Sequence, residues 1–178
     1  MRHILLLTVL SAFSYTAAVA NCLSQHEMDN PDHLYKLEDS DTDQIVEDLE
    51  TGLIWTRCPL GQSVQSGICA DDVTVNNTYT WGEALDAAQA ANNAVYEDID
   101  DWRLPNVKEL QSIIAPTCKE QALNSFAFPT QQNTTLYSST PDVTSANNVF
   151  IFKLSDGQIG VSGKLAMRSV YLVSEATP

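Results

Sequence analysis

Residues 101–110 read Asp101-Trp102-Arg103-Leu104-Pro105-Asn106-Val107-Lys108-Glu109-Leu110, and this stretch sets the frame for everything around it. Asn106 follows a proline and has Glu109 three positions on, the pattern in which side chain and backbone cap each other at a helix start. Val107, Leu110 and Ile114 then recur at helical spacing and mark the face to be buried, with Pro116 closing the element. Trp102 and Arg103 are residue types that anchor interfaces. Here the structural reading outweighs the ligand-binding one: Trp102 closes the core beneath this helix, and Arg103 pairs with Asp101 or Glu109.

The same signature appears upstream. In Thr80-Trp81-Gly82-Glu83 the threonine hydroxyl and the glutamate form a second capping box. Trp81, Ala84, Leu85 and Ala88 supply an apolar stripe that predicts a helix running to about Ala91, ended by Asn92-Asn93. Strand-type runs lie outside the helical middle. Ile45-Val46 and Leu53-Ile54-Trp55 flank Glu50-Thr51-Gly52, whose glycine suits a turn. Val149 to Leu154, the turn Asp156-Gly157 and Gln158 to Val161 make a second hairpin, and Ser169 to Val173 a last strand. Strands at both ends and helices between predict an α+β domain whose termini meet in one sheet.

Two regions lack such periodicity. Residues 21–44 read as an acidic, extended lead-in, and residues 119–148 as one long irregular loop rich in Ser, Thr, Asn, Gln and Pro. Loops of that length are functional or partly disordered. Residues 1–20 have a short basic start, an apolar run and Ala18-Val19-Ala20, which reads as a signal peptide cut after Ala20. The run is short and weakly apolar for a membrane span. The division is therefore a signal peptide over 1–20, the lead-in over 21–44 and the domain over 45–178.

The formal charge of the 178-residue chain is −14. Such a surface repels nucleic acid and anionic membranes and argues against a heparin-like ligand. The four cysteines, Cys22, Cys58, Cys69 and Cys118, all follow the leader, and an even number in an exported chain reads as two disulfides. Three pairings exist. The short Gly-containing loop between Cys58 and Cys69 favours joining those two, which leaves Cys22 with Cys118. Asp39, Asp41, Asp43 and Glu50 have part of a calcium-loop spacing, but Gln44 stands where that loop needs glycine and no helices flank it. No cofactor is expected; calcium is weighed and not favoured.

Taken together, the residues resemble the Lcl C-terminal domain family of secreted bacterial proteins. The resemblance rests on Asp48 to Trp55, Arg57-Cys58, Tyr79 to Leu85 and, above all, Asp101 to Leu110; it covers about residues 43–173. It implies a C-type-lectin-like fold, similar to that of the formylglycine-generating enzymes, with two helices packed on small antiparallel sheets and a long loop carrying ligand contacts. Trp55, Trp81, Trp102, Arg103 and Pro105 then serve as structural motif residues.

Enzyme signals are missing. Ser138 and Ser139 lack a nucleophile elbow, and the cysteines are better used as disulfides than as nucleophiles. The expectation is a non-catalytic recognition or adhesion module, periplasmic or extracellular. It would bind carbohydrate or a surface protein through residues 119–148, with Asn133, Tyr137, Asp142, Asn147 and Asn148 as ligand residues. The alternatives are a structural or assembly component of the envelope and, behind it, a relative of the formylglycine enzymes.

Overall fold

The computed structural model describes residues 31–114, 122–130 and 134–175. The strands are β1 (Tyr35–Lys36), β2 (Ile45–Asp48), β3 (Leu53–Thr56), β4 (Gln62–Gln65), β5 (Ile68–Asp71), β6 (Thr135–Pro141), β7 (Asn148–Lys153), β8 (Gln158–Gly163) and β9 (Val173–Ser174). The helices are α1 (Trp81–Asn93) and α2 (Val107–Ser112). One sheet has the order β1-β2-β3-β9, so the two ends of the domain do share a sheet. A second has the order β6-β7-β8, and β4-β5 form a separate hairpin. Among the described residues the pairings within these sheets are antiparallel. This is an α+β domain of two helices and small antiparallel sheets.

Both capping boxes are formed. The Asn106 side chain accepts from the Lys108 and Glu109 amides at 2.9 and 3.0 Å, and the Glu109 carboxylate accepts the Asn106 amide at 2.7 Å. At α1, Thr80 Oγ1 and Glu83 make the same reciprocal pair. Two features of the stripes differ from expectation. Leu85 is exposed, and Ala84 and Ala88 alone form the buried line of α1. In α2 the burial rests on Leu110, and the helix ends at Ser112, before the expected Pro116, which lies outside the described residues.

The core explains the sheet sequences. Buried residues fall into two clusters, and neighbours on one strand join different ones: Ile54 and Trp55, Tyr137 and Leu136, Ile151 and Phe152, Leu172 and Tyr171. Successive side chains in a strand point to opposite faces, so β3, β6 and β7 are covered on both faces. Leu110 of α2 closes one cluster and Ala84 and Ala88 of α1 close the other. Trp102 therefore packs with α1, not beneath α2 as the sequence suggested. Its amide and carbonyl bond the Asn92 side chain at 2.6 and 2.9 Å.

Four expectations are corrected. The lead-in is not irregular throughout: Tyr35 is buried and β1 adds an edge to the first sheet. The 119–148 stretch is not one loop. Ala122, Leu123, Ala127 and Phe128 are core residues, and β6 places Leu136, Tyr137 and Ser138 fully inside. A strand buried on both faces shows no alternation, which is why it escaped notice. The cysteine loop holds the β4-β5 hairpin. The last strand, finally, is reduced to Val173–Ser174. Upstream of it the backbone serves several partners in turn, Tyr79, Thr135, Tyr137, Leu60 and Thr56, and no continuous ladder can form.

The Cys58–Cys69 disulfide is present, with a Cα–Cα separation of 5.6 Å; Cys22 and Cys118 lie outside the described residues. The neighbouring Gly61 has φ +85°, and a Cβ there would sit 2.1 Å from the Asn76 carbonyl oxygen. Only glycine meets both demands.

Arg103 pairs with Glu109 through two bonds of 2.8 and 2.9 Å and also reaches Glu175 at 2.7 Å; Asp101 is held by the Ser174 hydroxyl instead. Partial burial tends to raise the Glu109 carboxyl, but Arg103 and the Asn106 amide outweigh it and hold it below the ordinary carboxylate range. A depressed carboxylate contributes stability above its unfolded value and loses it as pH falls through the folded one. We therefore expect Glu109→Gln to cost about 1–2 kcal/mol at neutral pH, from a lost cap and charged hydrogen bonds. The difference should shrink as pH falls through the lowered folded-state value of Glu109, where the native carboxyl becomes protonated. Melting curves of both proteins from acid to neutral pH measure it; a difference that is flat with pH refutes the assignment.

Candidate functional site

Two surface depressions deserve comparison. The first is an open groove of about 330 Å³ bordered by Lys36, Glu38, Asp43, Gln44, Glu97 and Asp98 among others. The chain beside it is strained: Val95, Glu97 and Asp98 have φ of 50°, 54° and 62°. This is the left-handed region, and it is most costly for β-branched Val95. Burial lifts the Glu97 carboxyl above its ordinary value, and the charges of Asp98 and Asp43 lift it further. Much of the rim is already engaged. Asp43 accepts the Glu38 and Asp39 amides at 2.7 and 2.9 Å, and Lys36 pairs with Glu47 at 3.0 Å.

The second depression, of about 280 Å³, is lined by Thr78, Thr134, Thr135, Met167, Arg168 and Ser169. Three separate segments build it. The backbone of Tyr79 exchanges hydrogen bonds with Arg168 at 2.8 and 2.9 Å, and Ser169 N–H donates to the Thr135 carbonyl at 3.1 Å. These bonds hold four hydroxyl-bearing residues around one guanidinium. Arg168 has no carboxylate partner among the described residues; its one side-chain bond goes to the Met167 carbonyl at 2.9 Å. Hydroxyls both donate and accept, whereas a guanidinium only donates. The set suits an oxygen-rich ligand.

The residues singled out in the sequence fare differently. Tyr137 has no exposed surface, and its hydroxyl donates to the Gly163 and Ala166 carbonyls at 2.9 and 2.6 Å. It is a core residue. Asp142 and Asn147, in the turn between β6 and β7, do come together with Asn148 at the start of β7, and none of the three lines the Arg168 cleft. There the Asp142 carboxylate accepts from the Thr144 amide and hydroxyl at 2.9 and 2.8 Å, and these bonds keep it below the usual carboxylate range. The Asn148 carbonyl accepts the Asp142 amide at 3.1 Å, and the Asn147 carbonyl that of Lys164 at 2.8 Å. Asn133 lies outside the described residues, next to Thr134 of the cleft.

Of the structural motif residues, Trp55 and Trp102 are buried, and Pro105 gives its carbonyl to the Ser139 amide at 2.8 Å. Trp81 donates from its indole to the Ser138 carbonyl at 3.0 Å, with Lys164 Nζ 4.7 Å from the ring centre. The acidic run also has a local role: Asp39 accepts the Asp41 amide at 2.9 Å, while Glu50 sits in the β2-β3 turn, capped by Asp48. Among the described residues no three His, Cys, Asp or Glu side chains are grouped to hold an ion.

Sequence reasoning missed Thr78, Arg168 and Ser169. Nothing local marks them, because tertiary pairing alone brings them beside Thr134 and Thr135. The one available signal was Arg168 itself, one of only 9 basic residues set against 23 acidic ones. Residues 44–174 match the family model described as Lcl C-terminal domain, well over half of the chain. No curated protein matches it.

Proposed function

The chain belongs to the Lcl C-terminal domain family, and from that premise we propose that it is an exported, non-catalytic recognition module that binds carbohydrate in the Arg168 cleft. The observation that carries this reading is the composition of the cleft, four hydroxyl-bearing side chains and an arginine without an ion-pair partner among the described residues. Sugar hydroxyls and ring oxygens complement such a set. Thr134 and Thr135 also belong to the 119–148 segment in which the family resemblance implies ligand contacts.

The wider architecture is read as C-type-lectin-like, on the strength of two helices packed against small antiparallel sheets with an irregular segment between α2 and β6. Recognition is favoured over catalysis because, among the described residues, the cysteines and the Ser138 hydroxyl are engaged. Cys58 and Cys69 are joined, and the buried Ser138 hydroxyl donates to the Phe150 carbonyl at 2.9 Å. Export agrees with that disulfide, which persists in oxidising compartments.

Glycan arrays probed with the mature chain, followed by titration calorimetry, test the reading. At least one oligosaccharide should bind, and Arg168→Ala should weaken it about tenfold or more, the loss of one charge-assisted hydrogen bond. An unchanged melting temperature would show that the fold survives. Absence of glycan binding together with capture of a stable protein partner overturns the proposal.

A further inference from the structure

The outer edge of β8 makes a second kind of contact available, independent of the cleft. The direction of its backbone groups follows from its neighbours. On β7, the even-numbered residues turn toward β6: the Phe150 carbonyl accepts from Ser138, the Asn148 carbonyl from the Asp142 amide, and the Leu154 amide donates to Thr134. The odd-numbered side turns toward β8, as the 2.8 Å bond from the Lys164 amide to the Asn147 carbonyl shows. With Ile151 opposite Gly160 and Val149 opposite Ser162, the even-numbered residues of β8 bond back to β7. Ile159 and Val161 therefore point their N–H and C=O groups outward. Among the described residues no bond is made to these groups, and β8 ends its sheet.

This edge lacks the usual protections. From Gln158 to Gly163 it has no charge, no proline and no bulge, and Ile159 and Val161 are 40% and 47% exposed. Natural edges are normally blunted by such devices. The flanking charges are arranged about its middle instead: Asp156 precedes Gly160 by four residues and Lys164 follows it by four.

We propose that β8 is a homodimerisation edge, two copies pairing antiparallel about a two-fold axis at Gly160. In this register Ile159 of each copy lies opposite Val161 of the other, in the pairs whose N–H and C=O groups already face outward. The apolar side chains of both copies then share one face. Gly160 meets its own counterpart in the narrow pair, where Cα atoms approach to about 4.5 Å and a missing Cβ helps. Asp156 of each copy lies opposite Lys164 of the other. An antiparallel pair with opposite charges equidistant from its centre is complementary to itself, the condition for an isologous contact. That symmetry favours a second copy over an unrelated strand. The overall negative charge opposes association, but it is screened beyond about 8 Å at physiological salt.

Sedimentation of the mature protein from about 1 μM to about 1 mM, the range expected of a small interface, should show its mass rising toward that of a dimer. Val161→Pro removes an outward amide and no bond to β7; it should be monomeric throughout, with a melting temperature near that of the parent. Asp156→Lys should weaken the dimer about tenfold or more, and Asp156→Lys with Lys164→Glu should restore it. A parent that stays monomeric overturns the proposal, as does a dimer indifferent to Val161→Pro or one that the double exchange fails to restore. The result does not depend on glycan binding, so the two readings fail separately.

Discussion

Replacing Arg57 by methionine will lower the stability of the domain by about 3–5 kcal/mol, because it strips the donors from several buried carbonyls at once. Arg57 is 1% exposed, yet no carboxylate among the described residues touches its guanidinium. Its donors go to four backbone carbonyls: Ala127 at 3.0 Å, Asp43 at 2.8 Å, Phe126 at 2.9 Å and Ser40 at 3.1 Å. Burial pulls its pKa down, while the charges of Asp43, Asp39 and Asp41 push back. One side chain thus ties the acidic turn after β1 to the segment containing Phe128. Methionine matches its volume but leaves those carbonyls without donors, at about 1–3 kcal/mol for each that stays dry. Water entering the neighbouring depression at Ser40, Asp41 and Gly67 relieves part of that, which sets the total below the sum. Lysine will not rescue it, because three ammonium protons cannot reproduce the planar fork. Urea titration measures the loss, and a change under about 1 kcal/mol would remove Arg57 from this role.

Phe128→Ala will be comparably severe, about 4 kcal/mol. The ring is 1% exposed and meets Tyr35, Trp55 and Tyr171 edge-on, at centroid distances of 5.6, 6.3 and 5.7 Å. Truncation opens a cavity between three aromatic neighbours and removes all three contacts. Phe128→Leu keeps much of the volume and should cost roughly half as much. The measurement separates two views of the segment: a ligand-bearing surface loop predicts a change of about 0.5 kcal/mol or less, a core insertion the full amount.

The helices and hairpins were legible because their signals are local. Asn106 with Glu109, Thr80 with Glu83, and Gly52 at φ +71° each act within a few residues. Pairing of Cys58 with Cys69 was similarly a matter of short spacing. What could not be read depends on distant partners. Leu136, Tyr137 and Ser138 are polar or apolar without pattern because neither face of β6 meets water. Phe128 was visible as an aromatic but its destination was not, since Arg57 brings in the backbone beside it from 70 residues away. The cleft suffers the same limit. Thr78, Thr135 and Arg168 belong to three stretches that only the completed fold unites.

The division of β3, β6 and β7 between two cores has a consequence for fidelity. In a sheet wetted on one side, a one-residue slip throws apolar groups into solvent and is rejected on hydrophobicity alone. Here the same slip would trade oil for oil, moving Leu136 into the place of Tyr137 and Phe152 into that of Ile151. Discrimination must then come from shape and from polar latches such as the Tyr137 hydroxyl between Gly163 and Ala166. Removing that one oxygen should leave a protein that still collapses but is less certain which of two alignments to keep.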